Sequence, residues 1–485
     1  MTATETFKGW KPGILHVILL FSVLQLFVTL LTDGFVLSFD EAMWHYIGRN
    51  WFRYGFVPYA GGVDNKSPLI FAIFGLSDKL FGVNYWFPRV IGTICQSVGL
   101  YYVYKIGRHI ANEHIAMLAV VFYGLALLWH ATGGKYVSYT ETYEVTFIII
   151  AFYQFLTAES GKSFFISGLF AGLAFGFRIT AIFVIVAILI TSLRKGRINI
   201  LMFIGGVISS IALLMLISFF SGIDLHNSFT YILADNFGSA SPTDHDLAWK
   251  VHNFSAKFLF SGMVLFYPFV LVYFITKRKI DWLGLWLIFA FIGINAVGIY
   301  DVVHLKEILP ALSIMSAIAT AHLISNYKIP VRLAFLLIAI LFMPRLSEPF
   351  SNLFFGNLNF SKVGYCQPPY RIADEGTRKR LGWWVRDNTK VQDKVLVAGF
   401  GAQVQVYSER LSPSIYFNVT QTEIAKQRFF RDMKLNKPAM ILIPLFPDYK
   451  QNVSPDMRQF VDEMVAKDYN LETCMFSYNV YRIKK

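Results

Sequence analysis

The stretch from 38 to 69, SFDEAMWHYIGRNWFRYGFVPYAGGVDNKSPL, contains Asp40, Glu41, Asp64 and Lys66, residues of types that do chemistry. A carboxylate can accept a proton or hold a cation, and an ammonium can meet an anion. The stretch follows directly on an apolar run, so these charges fall at a membrane surface. Charge there is costly to desolvate unless it faces water, protein or a functional site. A structural reading stands beside this one: Asp40 and Glu41 cap a helix starting at EAMWHYIGRNWF, because Asp suits an N-cap and acids suit a helix N-terminus. Capping needs one acid, however, and VDNKSPL brings another charged pair just before a proline that opens the next helix. A site accounts for both more economically.

The elements that must position these residues are membrane helices. The chain of 485 residues is 55% hydrophobic, 17% aromatic and 15% charged, with a mean hydropathy of +0.48, the composition of an integral membrane protein. Its net charge of +13 is distributed in short clusters between apolar runs, as in KIGRH, LRKGR and TKRK. That pattern sets membrane topology and does not describe a nucleic-acid surface. Runs able to span a hydrocarbon core of roughly 30 Å fall near 13–31, 86–106, 115–131, 141–157, 198–220, 257–276, 281–299, 307–325 and 330–344. The run from 163 to 193 is flanked by Lys162 and by Arg194, Lys195 and Arg197, so both ends are of cytoplasmic type. It reads as two short helices folded back on each other, with Arg178 near the extracytoplasmic turn, and the total comes to about eleven crossings.

Lys8 and Lys11 hold the N-terminus inside, which places the loops 32–85, 132–140, 221–256 and 300–306 outside. An odd number of crossings puts the C-terminal segment outside too. The first run is longer than a signal-peptide core and lacks a small-x-small cleavage site, so it stays as a helix. The chain divides into a transmembrane part, 1–344, and a C-terminal extracytoplasmic α/β domain, 345–485. In the latter, DKVLVAGF and PAMILIPL read as buried strands, and DEGTRKRLGWWVRDNT and PDMRQFVDEMVAKDY as amphipathic helices. GFGAQ is a strand-ending turn rather than a dinucleotide fingerprint. Cys95 lies in a helix as a packing residue, whereas Cys366 and Cys474 both fall in the external domain, where one disulfide between them is an open expectation.

The first loop resembles that of the GT-C glycosyltransferases of the protein O-mannosyltransferase and lipid A aminoarabinose transferase type. Those enzymes carry an Asp-Glu pair after the first helix, a Gly-Tyr-x-Pro-Tyr-like stretch and an Asp-x-Lys-Pro-Pro signature. Here the pair is Asp40-Glu41, the middle is YGFVPY, and the signature is Asp64-Asn65-Lys66-Ser67-Pro68, with Ser67 where the family usually has proline. SYTETYE resembles the family segment that offers a Glu at the outer start of a helix, here Glu141. GLFAGLAFGFRITA resembles a hairpin with a basic tip, here Arg178, and VHLKEILPAL resembles a late motif that gives His304.

The resemblance implies a polytopic GT-C fold and an enzyme that moves a sugar, with inversion, from a polyprenyl-phosphate donor to an acceptor hydroxyl. A phosphate leaves without a strong acid, so the protein must supply a base for the acceptor and cations for the phosphate. The base falls to Asp40, with Glu41 orienting it. Asp64 binds sugar hydroxyls or shares a divalent cation, magnesium or manganese, with Asp40, and Glu141 is a third candidate ligand. Lys66, Arg178 and His304 are the phosphate partners. Each has a plainer reading: Lys66 snorkels, Arg178 pairs with a buried acid, His304 is a satisfied loop histidine and Glu141 a helix-start acid. Trp44, Tyr46, Trp51, Tyr54 and Tyr59 serve interfacial anchoring or sugar stacking. Asp244, His245 and Asp246 belong to a loop that forms a lid or a solvated linker.

A transporter or flippase of lipid-linked sugars is the rival reading. It would place ionisable groups mid-helix at the interface of repeats, and neither is evident in the sequence. A non-catalytic envelope scaffold leaves the first-loop pattern unexplained. Sequons at Asn65, Asn253, Asn359, Asn418 and Asn452 include one inside the catalytic signature, where glycosylation would obstruct the site. That points to a bacterial cytoplasmic membrane, with site and C-terminal domain periplasmic.

Overall fold

A computed structural model describes residues 13–31, 36–129, 137–239, 247–297, 302–330, 375–417, 423–445 and 453–484, together with 333, 338, 340–342, 366 and 449. The N-terminal and middle regions are helical: α1 Ile14–Leu31, α2 Phe39–Tyr54, α3 Pro68–Phe81, α4 Trp86–Ile110, α5 Glu113–Leu127, α6 Thr140–Leu156, α7 Gly161–Phe177, α8 Ala181–Ser192, α9 Arg197–Phe220, α10 Leu225–Ser239, α11 Leu247–Phe260, α12 Tyr267–Lys277, α13 Trp282–Val297 and α14 Leu309–Tyr327. A 3-10 turn, Val302–Ile308, leads into α14. The expected break of the run 163–193 is seen: α7 ends at Phe177, Arg178 takes an extended backbone, and α8 begins three residues later.

Among the described residues, three helices are long and apolar enough to cross a membrane, Ile14–Leu31, Arg197–Phe220 and Val302–Tyr327, or four if the bent pair Val251–Leu259 and Met263–Lys277 is one span. Further apolar helices, such as Glu113–Leu127 and Gly161–Phe177, are shorter. The last predicted run, 330–344, lies mostly outside the described residues, as do Asp244, His245 and Asp246.

The chain divides into two compact units. Unit 1 joins Met1–Thr32, Arg89–Leu216 and Pro242–Gly356; unit 2 joins Asp33–Pro88, Ile217–Ser241 and Asn357–Lys485. Unit 1 has one continuous apolar core, in which α5 packs on α14 and α6 on α7, with Trp129, Phe152, Trp286 and Phe342 among its rings. Burying several aromatic side chains of this size contributes the largest share of its stability.

Unit 2 groups the first loop with the C-terminal α/β region. Its sheet has the order β1-β2-β4-β3, with β1 Val395–Val397 parallel to β2 Met440–Pro444, and β4 Tyr478–Ile483 antiparallel to both β2 and β3 Tyr469–Met475. The strands and helices expected at 395, 440, 375 and 455 are present. The hairpin β3–β4 and the helices Ala402–Ser408 and Glu423–Leu435 add to them. One sheet face buries Val395, Val397, Met440 and Leu442 against Leu381 and Val385. The other buries Leu396 and Ile441 against Phe429, Met433 and Met457. This alternation is the two-sided burial of a sheet covered by helices. Gly399, at φ +100°, makes the expected turn after β1. Cys366 and Cys474 are disulfide-bonded, with Cα atoms 6.0 Å apart, and partly buried Cys95 is a free thiol.

Candidate functional site

The expected site residues fall into two groups, one in each unit. In unit 2, α2 begins at an N-cap that is Ser38, not Asp40 or Glu41. Ser38 Oγ accepts from the Glu41 backbone N–H at 3.4 Å, and the Ser38 N–H donates to Glu41 Oε2 at 3.0 Å. This is the reciprocal capping box of a Ser-x-x-Glu sequence, and it corrects the capping reading: Glu41, fully buried, completes the cap. Asp40 stands in the same first turn, half-buried.

Asp64 is held against the same helix. Trp44 Nε1–H donates to Asp64 Oδ2 at 2.7 Å, and the Asn65 N–H donates to Oδ1 at 2.8 Å. Trp44 lies four residues after Asp40, so the two share one face of α2 at adjacent turns. Lys66 Nζ donates to Asn65 Oδ1 at 2.6 Å, and the Lys66 carbonyl accepts from the Tyr59 hydroxyl at 2.6 Å. Tyr59 adopts φ +68°, a conformation costly for a ring-bearing residue and kept where surrounding contacts demand it. Burial then pushes its phenol well above the usual tyrosine range. Trp44, Tyr46 and Tyr59 are thus buried in protein contacts rather than anchored at an interface.

Two helices fix this loop. α2 and α3 cross at Gly48 and Gly75, where a Cβ on Gly48 would come within 2.4 Å of both the Gly75 nitrogen and the Phe71 carbonyl oxygen. α3 starts at Pro68 in its first turn, directly after the Asp64–Ser67 signature, so this crossing sets the spacing between the two acidic segments. Behind α2, Arg53 pairs with the Asp78 carboxylate and donates to the Asp78 carbonyl. His45 Nδ1 lies 3.6 Å from Asp78 Oδ1. Burial, and then the Arg49 charge, push His45 down to about 3, and burial pushes Asp78 upward against the pull of Arg49 and Arg53.

The C-terminal region holds α2 from the side. Arg49 donates to the Val406 and Gln405 carbonyls at 2.7 and 3.2 Å, and the Tyr46 hydroxyl accepts from the Ser412 N–H at 2.9 Å. The Leu37 N–H donates to the Tyr407 hydroxyl, while Gln403 Nε2 donates to the Leu37 carbonyl. Next to Asp64, the Val63 N–H donates to the Ile415 carbonyl at 3.0 Å. Both segments of the loop therefore rest on 403–415.

In unit 1, Glu141, Arg178 and His304 come together as one cluster. Arg178 Nη1 donates to Glu141 Oε1, and His304 Nδ1 is 2.7 Å from the same oxygen. Arg178 Nε donates to Thr180 Oγ1 at 2.8 Å and lies 3.0 Å from Glu307 Oε1 and 3.8 Å from Glu144 Oε2. All three glutamates are nearly inaccessible. With Glu141 ionised, the shared contact assigns the His304 proton to Nδ1. The paired-acid reading of Arg178 is what the geometry displays. Glu144, Lys306 and Glu307 were not singled out from sequence. Their signal lay in motifs already read for one residue each: Glu144 is three residues after Glu141, and Lys306 and Glu307 follow His304 within buried 3-10 geometry.

Among the described residues, no group of three or more His, Cys, Asp or Glu is placed to hold a metal ion. Asp64 is committed to two hydrogen bonds, although each carboxylate oxygen retains a further lone pair for a cation.

Residues 65–221 match the family model described as dolichyl-phosphate-mannose-protein mannosyltransferase. No curated protein sequence matches the chain. Among solved structures, ArnT from Cupriavidus metallidurans bound to undecaprenyl phosphate is similar with a TM-score of 0.60 at 13% identity, over 96% of this chain and 97% of that one. The oligosaccharyltransferase of Archaeoglobus fulgidus, in complex with Zn and sulfate, is similar with a TM-score of 0.51 at 13% identity, over 88% of this chain and 68% of that one. A further structure of the Archaeoglobus enzyme, with an inhibitory peptide and a dolichol-phosphate, gives 0.51 at 12% identity, over 89% and 69%. The fold is that of the GT-C membrane glycosyltransferases, a multi-pass membrane protein with a C-terminal α/β region. Together the matches support a glycosyltransferase that uses a lipid-phosphate-linked sugar.

Proposed function

We propose that the protein transfers a sugar, with inversion, from a polyprenyl-phosphate donor to an acceptor hydroxyl on a cell-envelope glycan, lipid A or lipopolysaccharide, or a protein, at the outer face of a bacterial cytoplasmic membrane. Asp40 takes the acceptor proton. The acceptor oxygen then bonds to the anomeric carbon as the bond from that carbon to the phosphate oxygen breaks, and the lipid phosphate leaves with the electron pair. Glu41 keeps Asp40 in register through the cap, and Asp64 meets sugar hydroxyls. Lys66 meets phosphate charge, with Glu141, Arg178 and His304 as a further substrate-binding group in unit 1. The hard oxygen donors of Asp40 and Asp64 fit a magnesium or manganese ion, which would neutralise phosphate charge when bound.

The observation that carries this reading is that Asp40, in the first turn of α2, shares a helix face with Trp44, whose indole N–H donates to Asp64. The Cys366–Cys474 disulfide supports an oxidising, periplasmic setting for the C-terminal domain, 345–485. Buried charges in unit 1 are what a transporter reading would use, yet they sit at the start of α6, at the hairpin tip and ahead of α14, not at mid-helix. Mass spectrometry of envelope lipids and glycans tests the function. Loss of one fixed sugar mass in cells lacking the protein, restored by the wild-type gene, is expected, and an unchanged profile would return the transporter reading.

A further inference from the structure

Asp64 and Lys66 stand two residues apart, carry opposite charges and lie half-buried in one short segment of unit 2. Partial burial strengthens the attraction between such charges, so a carboxylate and an ammonium in these positions are expected to close into an ion pair. They stay separate. Among the described residues, no carboxylate pairs with the Lys66 ammonium, and its side-chain partner is the Asn65 amide oxygen at 2.6 Å. Asp64 instead takes its hydrogen bonds from Trp44 Nε1–H and from the Asn65 backbone N–H.

One residue therefore serves both charges. Asn65 offers a donor N–H to the anion and an acceptor oxygen to the cation. An ammonium carries donors only, so it meets the oxygen end of the amide. The segment is pinned on both sides of Asn65. Trp44 is buried with its ring edge-on to Phe74 at 5.6 Å, which fixes where the indole N–H points. The Tyr59 hydroxyl donates to the Lys66 carbonyl, and the Tyr59 ring stands against Phe71 and Tyr231 at centroid distances of 6.1 and 6.4 Å. These contacts hold the strained backbone of Tyr59 in place. With the chain fixed at 64 and 66, the side chain between them decides where the ammonium goes. A neutral oxygen occupies one of its three donors and cancels none of its charge.

We propose that Asn65 is a positioning residue whose side-chain oxygen holds the Lys66 ammonium away from Asp64 and keeps both charges available to substrate. A direct ion pair would neutralise at once the cation that meets phosphate charge and the anion that meets sugar hydroxyls. The inference deepens the proposed transfer reaction and rests on the phosphate role given there to Lys66.

The test is a set of double-mutant cycles on undecaprenyl phosphate binding to the full-length protein in neutral-lipid nanodiscs, with thermal unfolding to show that each variant is folded. Asn65→Ala lets Lys66 close on Asp64 and weakens binding by roughly three- to tenfold, and Lys66→Met loses at least as much. The near-isosteric Asn65→Asp pairs with Lys66 itself and weakens binding too, with the unfolding midpoint retained. In the Lys66→Met background Asn65→Ala has no further effect, and Asp64→Asn raises affinity more in the Asn65→Ala protein than in wild type. A merely structural role for Asn65 would move the midpoint and leave these effects additive. Folded Asn65→Ala protein that binds like wild type, or losses that simply add in the double variants, would overturn the inference. If Lys66→Met itself binds like wild type, the phosphate role of Lys66 falls and the inference falls with it. A loss in Lys66→Met without one in Asn65→Ala leaves that role standing and removes Asn65 alone.

Discussion

Arg49 on α2 donates to the carbonyl of Val406 at 2.7 Å, across 357 residues of sequence and within one compact unit. The helix carrying Asp40 is thereby tied to carbonyls near the end of the helix Ala402–Ser408, where backbone donors run out. A guanidinium is well suited to this place because it meets two carbonyls at once. Arg49→Met removes the guanidinium from the buried Val406 and Gln405 carbonyls and lowers stability by about 3 kcal/mol, and it loosens the start of the catalytic loop. Thermal unfolding in detergent shows the first effect, and a lower turnover of correctly inserted protein the second.

Glu41 separates orientation from chemistry. Because glutamine also completes a capping box, Glu41→Gln retains transfer within a few-fold of wild type, whereas Glu41→Ala loses about 1 kcal/mol of stability and part of the activity. Activity abolished by Glu41→Gln in a stable protein would show that the charge itself takes part.

The crossing of α2 and α3 tolerates no side chain at Gly48. Gly48→Ala forces the helices apart against Phe71 and Gly75 and costs about 1–3 kcal/mol, while disturbing the spacing between Asp40 and Asp64. The variant is expected to lower both the unfolding midpoint and the turnover, and an unchanged midpoint would remove the close crossing from the account.

His45 gives a pH signature. Its folded value of about 3 lies below the ordinary imidazole value of about 6.5, so the unfolded chain binds the extra proton between these limits. Its contribution to stability is intact above about pH 6.5 and falls as pH drops, by about 1.4 kcal/mol per unit. Wild type should lose unfolding midpoint between pH 7 and 5 more steeply than His45→Gln; equal slopes would contradict a buried neutral imidazole.

Much of this was legible in the sequence because apolar length is a strong signal. The helices at 14–31, 86–110 and 197–220 follow from it directly, and the hairpin at Arg178 followed from charge at both ends of one long run. The β3–β4 hairpin was not legible: its turn residues, Phe476 and Ser477, take φ of +49° and +62° without the Asn-Gly or Asp-Gly pair that announces such turns. Ser38 was not legible as the cap, because Asp40 and Glu41 beside it also suit a helix N-terminus. Of the cluster around Arg178, the residues matching known motifs were found, while Glu144, Lys306 and Glu307 entered only through burial, which a local pattern does not report. Nor does sequence reveal that Arg49 reaches Val406, since no local rule couples residues so far apart.

The proposed chemistry turns on Asp40 as the base. The most direct test is the envelope sugar species that depends on this protein, measured by mass spectrometry in deletion cells carrying Asp40→Asn at wild-type protein level. Loss of a positioned base lowers the rate by about 10² to 10⁴, so the account predicts that the sugar-modified species stays absent. Full restoration by Asp40→Asn would contradict it.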